Sequence, residues 1–207
     1  MRDCESFHNW NCGGPGGRHI IAENYHVHGA PNHGWLIGGS CNVLVVNMKE
    51  YNCQDGFYIS NVRNLVLEHC TAFGGFGLQD YTHDTDWGQG GLTVRNCIFM
   101  DGLAFVTGGM TDDRFIPATL FENNIFLVAA SDTDVVRHMV YNASTRTMSN
   151  PPGTDGYFTI PEYQGLGYPG SSTWTGNLVL TAGFASVIRG GAWTPETDGW
   201  DIAIPDG

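Results

Sequence analysis

Apolar and polar residues alternate in short bursts along this chain, and the bursts recur in one frame. The segments Leu65-Val66-Leu67-Glu68-His69-Cys70, Leu92-Thr93-Val94-Arg95-Asn96-Cys97 and Thr119-Leu120-Phe121-Glu122-Asn123-Asn124 end 27 residues apart, twice. Segments ending at Tyr25, Lys49 and Asn177 extend the frame, giving steps of 24, 21, 27, 27 and 53. Three residues before each anchor stand Ala22, Val46, Leu67, Val94, Phe121 and Trp174. Two residues after stand Val27, Tyr51, Ala72, Phe99, Phe126 and Val179. All are apolar, and the period of two between them predicts short strands that bury one face. Turn signals follow at Asp55-Gly56, Gly74-Gly75 and Asp101-Gly102.

A frame held over five or six repeats predicts a solenoid. Each coil of about 21–27 residues supplies short strands, and stacked coils bury a shared interior. Parallel strands about 4.8 Å apart would set the two apolar series in files along the axis. The "Asn-x-x-x-Asn/His-Cys" and "Asp-Gly-aromatic" run from Cys41 to Val106 resembles the right-handed parallel β-helix, pectin-lyase-like family. The resemblance covers residues 18–130 well and 170–190 weakly. It implies an all-β, short, right-handed parallel β-helix with loop insertions on one face. Residues 1–18 then read as an N-terminal cap or docking segment and 19–191 as the β-helix. Within it, 143–172 form a surface excursion, and 192–207, with Trp193 and Trp200, form a closing segment.

Composition narrows the function. Nine Lys and Arg stand against 21 Asp and Glu, a formal charge of −12, which argues against nucleic acid and anionic membranes as partners. No apolar run reaches the ~18–20 residues of a membrane span. Nor is there a secretory h-region near Met1, although the fold resemblance points to an extracellular or virion-surface protein. Six Cys lie at 4, 12, 41, 53, 70 and 97 with no zinc spacing. Cys70 and Cys97 share one turn position in adjacent coils, where stacked buried thiols are expected because parallel side chains suit a disulfide poorly. Cys41 with Cys53 and Cys4 with Cys12 are the candidate disulfides of an extracellular chain.

Candidate chemistry gathers in two acidic loops. One carries Tyr81-Thr82-His83-Asp84-Thr85-Asp86-Trp87 and the next Thr111-Asp112-Asp113-Arg114. Asp84 lies 14 residues past its anchor, and Asp112 and Asp113 lie 15 and 16 past theirs, so a solenoid would put them side by side. Arg137 and His138 follow in the next coil. Asp84, Asp86, Asp112 and Asp113 are candidate Ca²⁺ ligands. With His83 and Arg114 they are equally candidates for proton transfer, as glycosidases require. Solvated turn residues are the competing reading. Tyr81, Trp87, Arg137 and His138 are candidate substrate contacts. Trp35, Tyr163 and Tyr168 join Tyr81 and Trp87 as aromatics able to stack on sugar rings. His19, His26, His28 and His33 cluster early, as a metal site or as solvent-facing strand residues.

The resemblance implies a Lys or Arg proton abstractor beside Ca²⁺ in acidic-sugar lyases. Arg114 and Arg137 match that type, while Lys49, the sole lysine, falls on a turn anchor. The Asn-Thr-Asp and Gly-His-Gly signatures of polygalacturonase-like hydrolases and the Asp-Pro-His of mannuronan epimerases are missing. Two functions follow: a protein that binds a polysaccharide or glycan and processes it by lyase- or hydrolase-like chemistry, or a non-enzymatic virion subunit assembling as a homotrimer or docking to a larger assembly. A fragment of a larger secreted β-helix enzyme is a third.

Overall fold

The structure, a computed structural model, describes residues 2–7, 17–30, 32–60, 62–80, 90–100, 106–109, 119–128, 134–142, 147–167 and 174–181. The described part is mostly β, with one short helix. In chain order the strands are β1 (Arg2–Phe7), β2 (Arg18–His28), β3 (His33–Gly38), β4 (Cys41–Val46) and β5 (Lys49–Ser60). Then come β6 (Arg63–Glu68), β7 (Thr71–Asp80), β8 (Gly90–Arg95), β9 (Ile98–Met100) and β10 (Val106–Gly109). Next are β11 (Thr119–Glu122), β12 (Ile125–Val128), β13 (Val136–Asn142), β14 (Thr147–Ser149) and β15 (Tyr157–Phe158). Helix α1 (Ile160–Gly165), β16 (Trp174–Thr175) and β17 (Leu178–Thr181) complete the set.

Pairing is parallel except where β13 meets β14 and β15. The strands form a curled sheet in which each strand pairs with its counterpart one winding later. Three rows result. The first runs β2, β4, β6, β8, β11, β16. The second runs β1, the end of β2, the starts of β5 and β7, then β9, β12 and β17. The third runs β3, the ends of β5 and β7, then β10 and β13.

Register places Ala22, Val45, Leu67, Val94, Phe121 and Trp174 in one interior file, all buried. Five of these six are those expected. At the fourth strand the buried residue is Val45, and Val46 pairs with Glu23 and Glu68 on the outside. A slip of one residue exchanges the two faces of a strand, so its neighbours slip too. Met48, not Lys49, is the buried corner residue. The second interior file reads Val27, Glu50, Ala72, Phe99, Phe126, Val179, with the acid Glu50 fully buried where Tyr51 was expected.

Aromatic stacking continues the files: Phe121 and Trp174 rings lie 4.0 Å apart and nearly parallel, and Phe99 and Phe126 lie 5.5 Å apart. The segment between β13 and β16 does more than cover a surface. Thr159 caps α1, and Tyr163 on that helix is buried, its ring edge-on to Trp174 at 6.1 Å.

Candidate functional site

The corners of the sheet determine what the chain can present. Between the first and second rows every winding turns through a left-handed residue: Asn24, Asn47, His69, Asn96, Asn123 and Gly176, with φ of 51° to 66°. Asparagine tolerates this conformation better than other non-glycine residues. The residue after each corner points inward. The backbone N–H there has no strand partner, so the side chain of the next winding accepts from it. Cys70 N donates to Cys97 Sγ at 3.4 Å, Cys97 N to Asn124 Oδ1 at 3.0 Å, and Asn124 N to Asn177 Oδ1 at 3.0 Å. Each side chain also donates inward: Cys97 Sγ to Arg95 O, Asn124 Nδ2 to Val94 O, Asn177 Nδ2 to Phe121 O.

The paired thiols are therefore structural, as expected. Burial pushes the Cys97 thiol well above the ordinary range, and its hydrogen bond with Cys70 adds to the rise. Cys41 and Cys53, expected to bridge in an extracellular chain, do not bridge to each other. Cys41 opens a first-row strand beside Arg18 and Arg63, whereas Cys53 lies within β5 opposite Gly74.

The corner from the third row back to the first is where windings differ in length. Two residues separate β3 from β4, and two separate β5 from β6. Nine separate β7 from β8, and nine separate β10 from β11. Because β7 pairs with β10 and β8 with β11, both nine-residue excursions leave and rejoin the same corner, one winding apart. They contain the candidates Tyr81, His83, Asp84, Asp86 and Trp87 in one and Asp112, Asp113 and Arg114 in the other. Those eight residues lie outside the described residues, as does Tyr168. Arg137 and His138 lie on β13, the third-row strand after β10, where His138 pairs with Thr107, itself the partner of Asp80.

Trp35 and Tyr163 are not available to a ligand. Both are core residues, 0% and 1% exposed, Trp35 against Tyr25 with ring centroids 4.9 Å apart. The early histidines disperse. His19 is an exposed corner residue beside Asn42, His26 and His28 are half-buried on β2, and the backbone of His33 pairs with Asp55. Among the described residues no group of three His, Cys, Asp or Glu could hold a metal ion. Lys49 lies past the corner on β5, paired with His26 and Thr71.

One feature was not anticipated from the sequence. The outer face of the first row carries a shallow groove of about 520 Å³ with an aliphatic floor of Ile21, Leu44 and Val66. Along one side run the left-handed residues His19, Asn42 and Asn64, joined by Asn64 Nδ2 donating to Asn42 Oδ1 at 2.9 Å. On the other side Arg95 Nη2 donates to Glu68 Oε2 at 3.0 Å, and this carboxylate holds the guanidinium pKa above its ordinary value. The signal was the triplet Leu44-Val45-Val46, which keeps apolar residues on both faces of β4. No family model, curated protein or solved structure matches the chain.

Proposed function

We propose that the curled parallel sheet is a right-handed parallel β-helix of the pectin-lyase-like kind, and that it engages a polysaccharide or glycan at the corner bearing the two long excursions. The observation that carries this reading is the shared corner. Two nine-residue excursions in adjacent windings replace two-residue turns, and insertions in repeat folds gather on one binding face. Both excursions are rich in Asp, with His83 in one and Arg114 in the other. Such a set offers hard oxygen ligands for Ca²⁺ or a proton-transfer pair, and Arg137 and His138 on the neighbouring strand extend it. An extended glycan lying along the axis would meet about one sugar per winding, since the rise per winding is about 4.8 Å.

The test is calorimetry with uronate and neutral polysaccharides, with and without Ca²⁺, alongside assays for unsaturated products and new reducing ends. Binding weakened at least tenfold by Asp84→Asn with Asp112→Asn supports the reading. No binding to any glycan removes it. A second reading, a non-enzymatic assembly subunit at a virion or cell surface, is favoured by the exposed aliphatic floor of the first-row groove.

A further inference from the structure

Over its first three windings the outer face of the first row is self-complementary in charge; the fourth strand, β8, carries Gly90 and Arg95 at the same two positions. Its strands begin with Arg18 on β2, Cys41 on β4 and Arg63 on β6, which occupy one register position in three successive windings. The same strands end outward with Glu23, Val46 and Glu68, again in one file. So two windings run from Arg to Glu, and the winding between them is uncharged at both ends. Basic residues number nine in the whole chain, so two stacked in one file is a specific arrangement. Arg18 and Arg63 are exposed. Between the charged edges lies the aliphatic stripe of Ile21, Leu44 and Val66 in register, with Ile21 52% exposed.

We propose that this face docks a second copy of the chain, the two winding axes parallel and related by a two-fold axis along that direction. Such a rotation brings the arginine edge of one copy against the glutamate edge of the other at the same height. Arg18 meets Glu23 of the second copy, Arg63 meets its Glu68, and the uncharged edges of the middle winding meet each other. Every contact occurs twice, as two-fold symmetry requires. The aliphatic stripe lies on the axis and packs against itself about 10 Å away, the spacing of stacked sheets. An axis along the strands instead would set arginine against arginine and glutamate against glutamate. A shift of one winding would set Arg63 against Val46.

Both glutamates already hold an arginine of their own chain, Arg2 on Glu23 and Arg95 on Glu68. The second copy's arginine therefore completes a network rather than neutralising a bare acid. Exposed ion pairs contribute little individually, so the stripe supplies affinity and the edges supply register. Three strands of about 20 Å, stacked over about 14 Å, cover roughly 600 Å² counting both copies, below the about 1,000 Å² of a stable specific interface and in the range of weak, transient ones. The dimer is accordingly concentration-dependent.

Sedimentation velocity of the intact chain over a concentration series tests this. The expected result is reversible conversion from one to two chain masses. Ile21→Asp, at an exposed position, should hold the chain at one mass with its circular dichroism spectrum unchanged. Arg63→Glu alone and Glu68→Arg alone should each be monomeric where the wild type is dimeric. An equimolar mixture of these two variants should dimerise again, because each contact then joins opposite charges. A monomer at every concentration, a trimer, a dimer indifferent to Ile21→Asp, or a variant mixture that stays monomeric overturns the proposal. Glycan binding at the long-excursion corner is measured separately and does not depend on this outcome.

Discussion

Cys97 and Asn124 are 27 residues apart, yet the backbone N–H of Cys97 donates to Asn124 Oδ1 at 3.0 Å. Asn124 is fully buried and receives or donates at every polar atom of its amide: it also donates to Val94 O and Asn177 Oδ1. Replacing it with Leu leaves Cys97 N–H and Val94 O without this partner inside the fold. Each buried orphan costs about 1–3 kcal/mol, so Asn124→Leu should lose about 2–5 kcal/mol in urea unfolding. Cys70→Ala, which removes a thiol donating weakly to Val45 O and Glu68 O, should lose less.

Gly176 closes the file of left-handed corners with φ of 66°, and the amide oxygen of Asn123 occupies the space that a Cβ there would need. Gly176→Ala must therefore meet both backbone strain, about 1–2 kcal/mol, and displacement of Asn123. Thermal melts should show it less stable than wild type. Asn47→Gly at the equivalent corner should change stability by well under half as much, since glycine adopts this conformation freely.

The thiol file predicts a pH window. The folded-state pKa of Cys97 is raised, so its contribution is intact below the ordinary thiol range and is lost as pH climbs through that range and beyond. Unfolding free energy should decline in alkaline buffer more steeply for the wild type than for Cys97→Ala. At neutral pH a thiol reagent should label Cys97 only as fast as the fold opens.

The α1 cap predicts the opposite sign. Thr159 N–H and hydroxyl donate to Glu162 Oε2 at 2.9 and 2.8 Å, and the backbone bond first, then the hydroxyl, hold the Glu162 carboxyl below its ordinary pKa. Its stabilisation is present above the ordinary glutamate pKa and is lost as pH falls through the lowered value. The difference in melting temperature between wild type and Glu162→Gln should shrink on acidification. Thr159→Ala should cost about 1 kcal/mol.

Periodicity made the stacked parallel strands legible, because Leu92-Thr93-Val94-Arg95 alternates cleanly against the inward corner residue Cys97, and the 27-residue step carries the same frame back to Leu65, Leu67 and Cys70. Legibility failed at β4 and β5. Leu44-Val45-Val46 is apolar throughout and offers no face to choose, and Glu50 is an acid at a position that alternation assigns to the interior. Asn47, the corner residue type of the neighbouring windings, was the available clue. Trp35 and Tyr163 misled because an aromatic among loop residues reads equally as a ligand contact or as core. The two nine-residue connections, β7 to β8 and β10 to β11, follow from the 27-residue steps, since added length in a stacked winding must leave at a turn; the acidic residues expected on them lie outside the described residues.

The central claim is the stacking register that puts Val45 inside and Val46 outside. Chemical denaturation of Val45→Asp and Val46→Asp, compared with the wild type, tests it most directly. The account predicts that Val45→Asp collapses the fold or lowers its stability by about 3 kcal/mol or more, as a buried unpaired charge does, while Val46→Asp stays within about 1 kcal/mol. Equal losses, or the larger loss at Val46, would contradict it.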